Sequence, residues 1–440
     1  MARKQSFVDI LQRVKHKNMP IKDDRYKNYH LNFNPFPKSG TANIKAPSEQ
    51  LKVLPPVSDD LRQQIEEYIV STLFAESYNA EDKYMGATII GNYGSGKTQM
   101  LMYVKYLLEL VAIDKDYHQN PYVVYIDNPG VKLSELIGKI ISEIGEENFK
   151  KFLWSKTIDR IEVEYKVQLD NSFPINAGLF GLKADPWEEG NKVNYKKFLD
   201  AWLVNLTTKQ KQKDFEESIK EYIVQILGAY TNDNIVAQYL YKVLVEELVL
   251  HSVWDSIVKG DIKGLIGKES NIIKFIVDLL YVEGYTHVYV LVDEFEDITR
   301  GRLSKAQVDN YLYSLRTLID KERNWTIVFA MTQEAFMSLE QASPPLADRI
   351  TSRKIYIPQL SVDETLRVVY NYLQFARTAD DKGPYFPFTE EAVKVLNRKL
   401  LGNSRMILSS CFKLIELGVN ANLDIIPEEI VEKEIEAVAP

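Results

Sequence analysis

The chain has 440 residues, 45% of them hydrophobic and 26% charged, with 62 acidic against 54 basic side chains and a formal net charge of −8. Such a composition belongs to a globular protein long enough for two or three domains with cores of their own, and it excludes a surface that is basic throughout. The single cysteine, Cys411, excludes an internal disulfide framework, and the five scattered histidines offer no metal-ligand spacing. No stretch of 18 apolar residues occurs and the N-terminus lacks an apolar leader core, so the expectation is a cytoplasmic protein with no membrane partner.

The first 38 residues carry nine Lys or Arg against three Asp. Residues 1–32 are read as a basic N-terminal arm that could touch DNA or an acidic partner, or stay a solvated extension. Further on, the apolar run "MGATII" (85–90) predicts a buried strand, "GNYGSGKT" (91–98) follows it directly, and Met100, Leu101, Val104, Leu107, Leu108 and Val111 then recur at helical spacing. Gly91, Gly96, Lys97 and Thr98 match the pattern G-x-x-x-x-G-K-[ST], and Gly94 adds a flexible position. A strand, this turn and a helix make a phosphate cradle, for which the expected ligand is ATP with Mg2+. The stretch Gly91, Asn92, Tyr93, Gly94, Ser95, Gly96, Lys97, Thr98 and Gln99 would surround the phosphates. In it, backbone N–H groups turn inward, Lys97 reaches the β- and γ-phosphate oxygens, the Thr98 hydroxyl ligates the metal, and the helix N-terminus adds partial positive charge.

Four more near-continuous apolar runs follow: "PYVVYIDN" (121–128), "HVYVLVDE" (287–294), "WTIVFAMT" (325–332) and "KIYIPQL" (354–360). Strands covered on both faces have this character, and helical stretches separate them. The pattern predicts an α/β fold, a doubly wound parallel-sheet P-loop NTPase core with its ligand at the carboxyl ends of the strands. One run ends in Asp293 and Glu294. Two adjacent carboxylates at a buried strand end call for a cation. In P-loop ATPases the first holds Mg2+ and the second polarises the attacking water. Glu296 and Asp297, later in the same acidic cluster, are expected to be solvated.

Lys97 and Asp293 stand 196 residues apart, more than a compact core needs, so residues 148–270 are read as an inserted helical lobe. Phe215, Ile219, Tyr222, Ile223, Ile226 and Leu227 repeat at helical spacing, as do Val236, Leu240, Val243, Leu244 and Leu248. Trp154, Trp187, Trp202 and Trp254 lie in the same region, and "SFPINAGLFGLKADPW" (172–187) mixes glycine, proline and apolar residues without a period. If exposed, that loop would bind a partner.

Taken together, the P-loop, the strand ending in "DE", a strand ending in a polar residue, an arginine-bearing segment and "GNSR" resemble an AAA+ ATPase, in the style of the origin-recognition and transposition-regulator branch, over about residues 33–150 and 285–430. The resemblance implies a core over 33–147 and 271–360 and a small helical lid over 361–440. By the same resemblance, Pro35 and Phe36 of "NFNPFP" (32–37) lie against the adenine, and Thr332 is the sensor 1 residue, with Gln333 as the alternative. Arg349 or Arg353 of "LADRITSRKIYIPQLS" (346–361) presents an arginine finger to a neighbouring subunit. Arg405 of "LLGNSR" (400–405) reaches the γ-phosphate from the lid, after Gly402 and Asn403 break one helix and start the next.

The expected function is an ATP-binding and ATP-hydrolysing regulator that couples nucleotide state to assembly or partner remodelling, as a homo-oligomer or through a protein partner at residues 148–270. The alternatives are a nucleotide-dependent scaffold or switch with little turnover, and a DNA-binding loader for replication, transposition or mobile-element defence. About thirty residues follow the lid arginine helix and end in the acidic "PEEIVEKEIEAV", which leaves no room there for a winged helix and weighs against the loader.

Overall fold

A computed structural model of the chain describes residues 24–40, 58–73, 86–114, 118–161, 208–245, 268–298, 303–321, 325–378 and 382–438. Residues 1–23 of the basic arm, the loop 172–187, Leu248, and Trp187, Trp202 and Trp254 lie outside the described residues.

The apolar runs form strands, and the three inner ones are covered on both faces, whereas the last, at the sheet edge, buries only Ile355 and so departs from the expected full burial. They are β1 (Ala87–Gly91), β2 (Pro121–Ile126), β3 (His287–Val292), β4 (Trp325–Met331) and β5 (Arg353–Ile357). Every residue of β1 and β4 is buried. The sheet order is β2-β3-β4-β1-β5. β2 runs parallel to β3, with Pro121 opposite His287 and Ile126 opposite Val292, and β3 runs parallel to β4. Parallel neighbours require crossovers, and helices supply them. The expected α/β class with a doubly wound sheet is what the chain forms.

The described chain divides into two compact units, Met1–Tyr68 with Ile89–Tyr106 and Lys354–Pro440, and Ile69–Thr88 with Leu107–Arg353. In the second unit, α3 (Leu133–Ile144) buries Leu133, Leu136, Ile137, Ile140, Ile141 and Ile144. These positions fall at helical spacing on one face, and that face packs on β2. α4 (Glu146–Arg160) and α5 (Lys209–Thr231) pack on α7 (Glu269–Val282), the helix that leads into β3, and α6 (Asn234–Leu244) packs on α4 and α5. α5 buries Phe215, Ile219, Ile223, Ile226 and Leu227 and ends at Asn232, whose φ of 50° reverses the chain. Asp233 then caps α6 by accepting from the N–H groups of Ile235 and Val236, and it also pairs with Lys268.

The first unit contains α11 (Val362–Ala376), α12 (Glu390–Lys399), α13 (Ser404–Asn420) and α14 (Glu428–Val438), which close around one apolar cluster. Residues near the N-terminus belong to that cluster: Tyr26, Tyr29, Leu31 and Phe36 are buried in it. The Tyr26 hydroxyl donates to Glu416 at 2.5 Å, and the Asn34 amide donates to Glu416 at 2.9 Å. α11 starts in a capping box, with Ser361 accepting from Glu364 N–H and the Glu364 side chain accepting from Ser361 N–H. Ser361→Ala is therefore expected to destabilise this helix bundle by about 1 kcal/mol. Hydrogen exchange of the α11 amides should speed up accordingly, and unchanged protection would refute the cap's contribution.

Candidate functional site

The P-loop grows from how β1 ends. α2 (Lys97–Ile113) begins only six positions beyond Gly91, so residues 92–96 must reverse the backbone in a short turn. Gly94 and Gly96 take φ values of 77° and 100°. L side chains rarely adopt such angles, and at Gly94 a Cβ would also meet the Asn403 side-chain oxygen at 2.6 Å. The turn brings the Lys97 ammonium back over the strand end, where it donates to the carbonyls of Gly91 at 3.1 Å and Asn92 at 3.4 Å. Lys97 is buried, and the Ser95 hydroxyl is buried with no hydrogen-bond partner among the described residues. An unsatisfied buried hydroxyl costs about 1–3 kcal/mol. A cationic nitrogen, an unused hydroxyl and a helix N-terminus are the donor set that suits a phosphate chain, so the residues present fit a nucleotide. Thr98, the residue that would hold Mg2+, follows Lys97 in the first turn of the helix.

Beside this loop stands the start of α13. Leu360 N–H donates to the Gly402 carbonyl, and the buried Asn397 amide donates to the Leu360 and Ser361 carbonyls and to the Thr365 hydroxyl. These bonds fix the turn before Asn403. Asn403 caps α13 by accepting from Met406 N–H at 3.1 Å and donates its amide to the Tyr93 carbonyl at 2.9 Å. Arg405 N–H donates to the Gly94 carbonyl at 3.0 Å, and the Arg405 guanidinium lies 4.5 Å from the centre of the Tyr93 ring. The structure thus brings Arg405 to the P-loop. Pro35 and Phe36, read as adenine contacts, are buried, and the Phe36 ring stacks on Tyr372 at 5.4 Å and meets Phe388 edge-on at 6.2 Å.

The carboxyl end of β3 holds the acidic pair. Asp293 is buried, accepts from the Tyr125 hydroxyl at 3.0 Å with one oxygen and from Glu294 N–H at 2.9 Å with the other. Burial, and then the Asp293 carboxylate, push the Tyr125 phenol far above its ordinary range, so it stays a donor. Glu294 is exposed, and its φ of 50° is left-handed, a conformation that costs a residue with a side chain roughly 1–2 kcal/mol. Such strain concentrates at functional positions. The chain then enters a short 3-10 helix, Phe295–Ile298, which corrects one expectation: Glu296 is buried rather than solvated, and Asp297 accepts from the Asn128 amide at 2.7 Å. The tight helix packs against β4, which carries these acidic residues inward. Asn128 also accepts at its carbonyl from Lys139 at 2.6 Å, so the segment after β2 is tied both to the 3-10 helix after β3 and to α3.

Thr332 caps α9 (Gln333–Ala342), its hydroxyl accepting from Ala335 N–H at 3.2 Å. The hydroxyl keeps its own proton to donate. Gln333 begins that helix and is exposed. Arg349 lies on α10 (Pro344–Ile350), pairs with Asp320 and donates to the Pro345 carbonyl at 3.0 Å. Arg353 opens β5, and its N–H donates to the Gly86 carbonyl at 3.2 Å. Sequence reasoning missed Tyr125, Asn128 and the double use of Asn403, because no local pattern marks a strand tyrosine or a cap asparagine as a partner of a residue far along the chain. Among the described residues, no helix is long and apolar enough to cross a membrane.

The fold and this loop define an α/β protein of the P-loop class. No family model matches the chain. Similar solved structures include the Aeropyrum pernix ORC2 protein in its ADPNP–ADP complexes, with a TM-score of 0.48 and 14% identity over 88% of this chain and 70% of that one. Its ADP form gives a TM-score of 0.48 and 14% identity over 91% and 73%. The Cdc6p of Pyrobaculum aerophilum gives a TM-score of 0.41 and 11% identity over 87% and 66%. A curated relative, an uncharacterized HTH-type transcriptional regulator of Methanocaldococcus jannaschii, is 33% identical over 95 residues, which are 22% of this chain and 23% of that relative.

Proposed function

We propose that the chain is a cytoplasmic ATP-binding and ATP-hydrolysing AAA+ regulator that couples nucleotide state to assembly or to remodelling of a partner. The observation that carries the reading is the P-loop itself, where a buried Lys97 ammonium and a Ser95 hydroxyl with no partner among the described residues converge at the N-terminus of α2. Lys97 and the loop N–H groups would hold the β- and γ-phosphates, and Thr98 and Asp293 would hold Mg2+. The Tyr125 hydroxyl would keep the Asp293 carboxylate oriented. Glu294 would take the proton of the attacking water, and Thr332 would donate its hydroxyl proton toward that water or the γ-phosphate. Arg349 or Arg353 would act across a subunit contact, and Arg405 within its own chain.

A switch with little turnover is the second reading, and the Arg349–Asp320 pair favours it, because Arg349 must leave Asp320 before it can serve a neighbour. Hydrolysis measured over a wide range of protein concentration, with and without double-stranded DNA, separates the cases. The regulator should show specific activity that rises with concentration. ATP-dependent assembly without turnover would replace it by the switch, and stimulation by DNA would favour a loader.

A further inference from the structure

Tyr93 occupies a position at which the phosphate-binding pattern asks for no particular side chain, yet it places an aromatic ring 63% exposed at the mouth of the loop. Its one ring contact among those described is the Arg405 guanidinium, at 4.5 Å. The backbone around that contact is fastened twice, by Asn403 to the Tyr93 carbonyl at 2.9 Å and by Arg405 N–H to the Gly94 carbonyl at 3.0 Å. The Arg405 stem itself is hemmed in. A Cβ at Gly94 would lie 3.0 Å from the Arg405 Cβ, and a Cβ at Gly40 would lie 2.9 Å from its Cγ. Start and stem of the side chain are therefore set by backbone packing, and its charged end is set by the ring.

We propose that Tyr93 is a positioning residue for Arg405: its ring holds the guanidinium beside the P-loop, so that a nucleoside triphosphate meets an arginine already in place. This rests on the ATP reading above. An unsupported arginine samples many rotamers, and ordering it on binding weakens the ligand that needs it. A flat ring beneath a guanidinium restricts that freedom and adds attraction from its electron-rich face. The benefit falls on the ligand that carries the terminal phosphate Arg405 would contact. ADP, which lacks that phosphate, gains nothing from it.

Binding of ATP and of ADP to the full chain, measured for the wild type, Tyr93→Ala, Tyr93→Phe, Arg405→Ala and the Tyr93→Ala/Arg405→Ala pair, tests the assignment. Tyr93→Ala should weaken ATP by about 2- to 5-fold, the worth of an exposed cation–π contact, and leave ADP alone. Tyr93→Phe, which keeps the ring, should restore the preference for ATP. In the Arg405→Ala background, removal of the ring should change nothing further. Equal weakening of ATP and ADP would overturn the proposal, as would an effect that persists without Arg405, or tighter ATP binding on loss of the ring. A wild-type chain that binds no ATP would overturn the nucleotide reading along with it, an outcome distinct from all of these.

Discussion

Lys97→Ala is expected to abolish ATP binding at concentrations that saturate the wild type. The ammonium is buried at the end of β1 and donates to the carbonyls of Gly91 and Asn92, for which a charged acceptor would compete. Phosphate oxygens are such an acceptor. Hydrogen bonds between charged groups contribute about 1.5–3 kcal/mol each, and losing two lowers affinity by roughly 10²- to 10⁴-fold. Isothermal titration with ATP, beside a thermal melt of the ligand-free variant, reads the effect. Undiminished affinity in a folded variant would remove the P-loop assignment and the proposed function with it.

Glu294→Gln is expected to bind ATP as the wild type does while turnover falls by roughly 10²- to 10⁴-fold, the range assigned to a general base. The amide nearly matches the carboxylate in shape, and the left-handed backbone at φ 50° burdens Gln no differently from Glu. Folding and nucleotide affinity should therefore stay put, and the loss should appear in kcat alone. Single-turnover hydrolysis isolates the step. Unchanged turnover would show that Glu294 takes no proton, and the buried Asp293 would then be left with metal holding as its role.

The strands and the P-loop were legible because their signals are local. A strand buried on both faces must be apolar along its length, as β1 and β4 are. A phosphate loop must likewise place its glycines, lysine and threonine within eight residues. Legibility ends where partners come from elsewhere in the chain. The Tyr125 hydroxyl serves Asp293 across 168 positions, and Asn403 reaches Tyr93 across 310. Arg349, read as a free finger candidate, meets Asp320 only once α8 (Lys305–Lys321) and α10 pack together. The aromatic residues at 26–36 follow no helical or strand period, so nothing local pointed to their place in the apolar cluster of α11 to α14.

That placement has a bearing on how the chain is made. A polypeptide emerges from the ribosome N-terminus first, and Tyr26 precedes its partner Glu416 by 390 residues. The apolar cluster of α11 to α14 thus cannot complete itself from those helices alone. Until α11 to α14 have been synthesised, Tyr26, Tyr29, Leu31 and Phe36 have no apolar partner in those helices and present their side chains to solvent and to chaperones. Closing so long a loop is entropically expensive and slow compared with forming the helices themselves. The arginine that would greet the nucleotide rides on α13, a helix of this late-closing cluster. A nascent chain would then carry the turn between β1 and α2 well before it carried the helix that brings Arg405 to it.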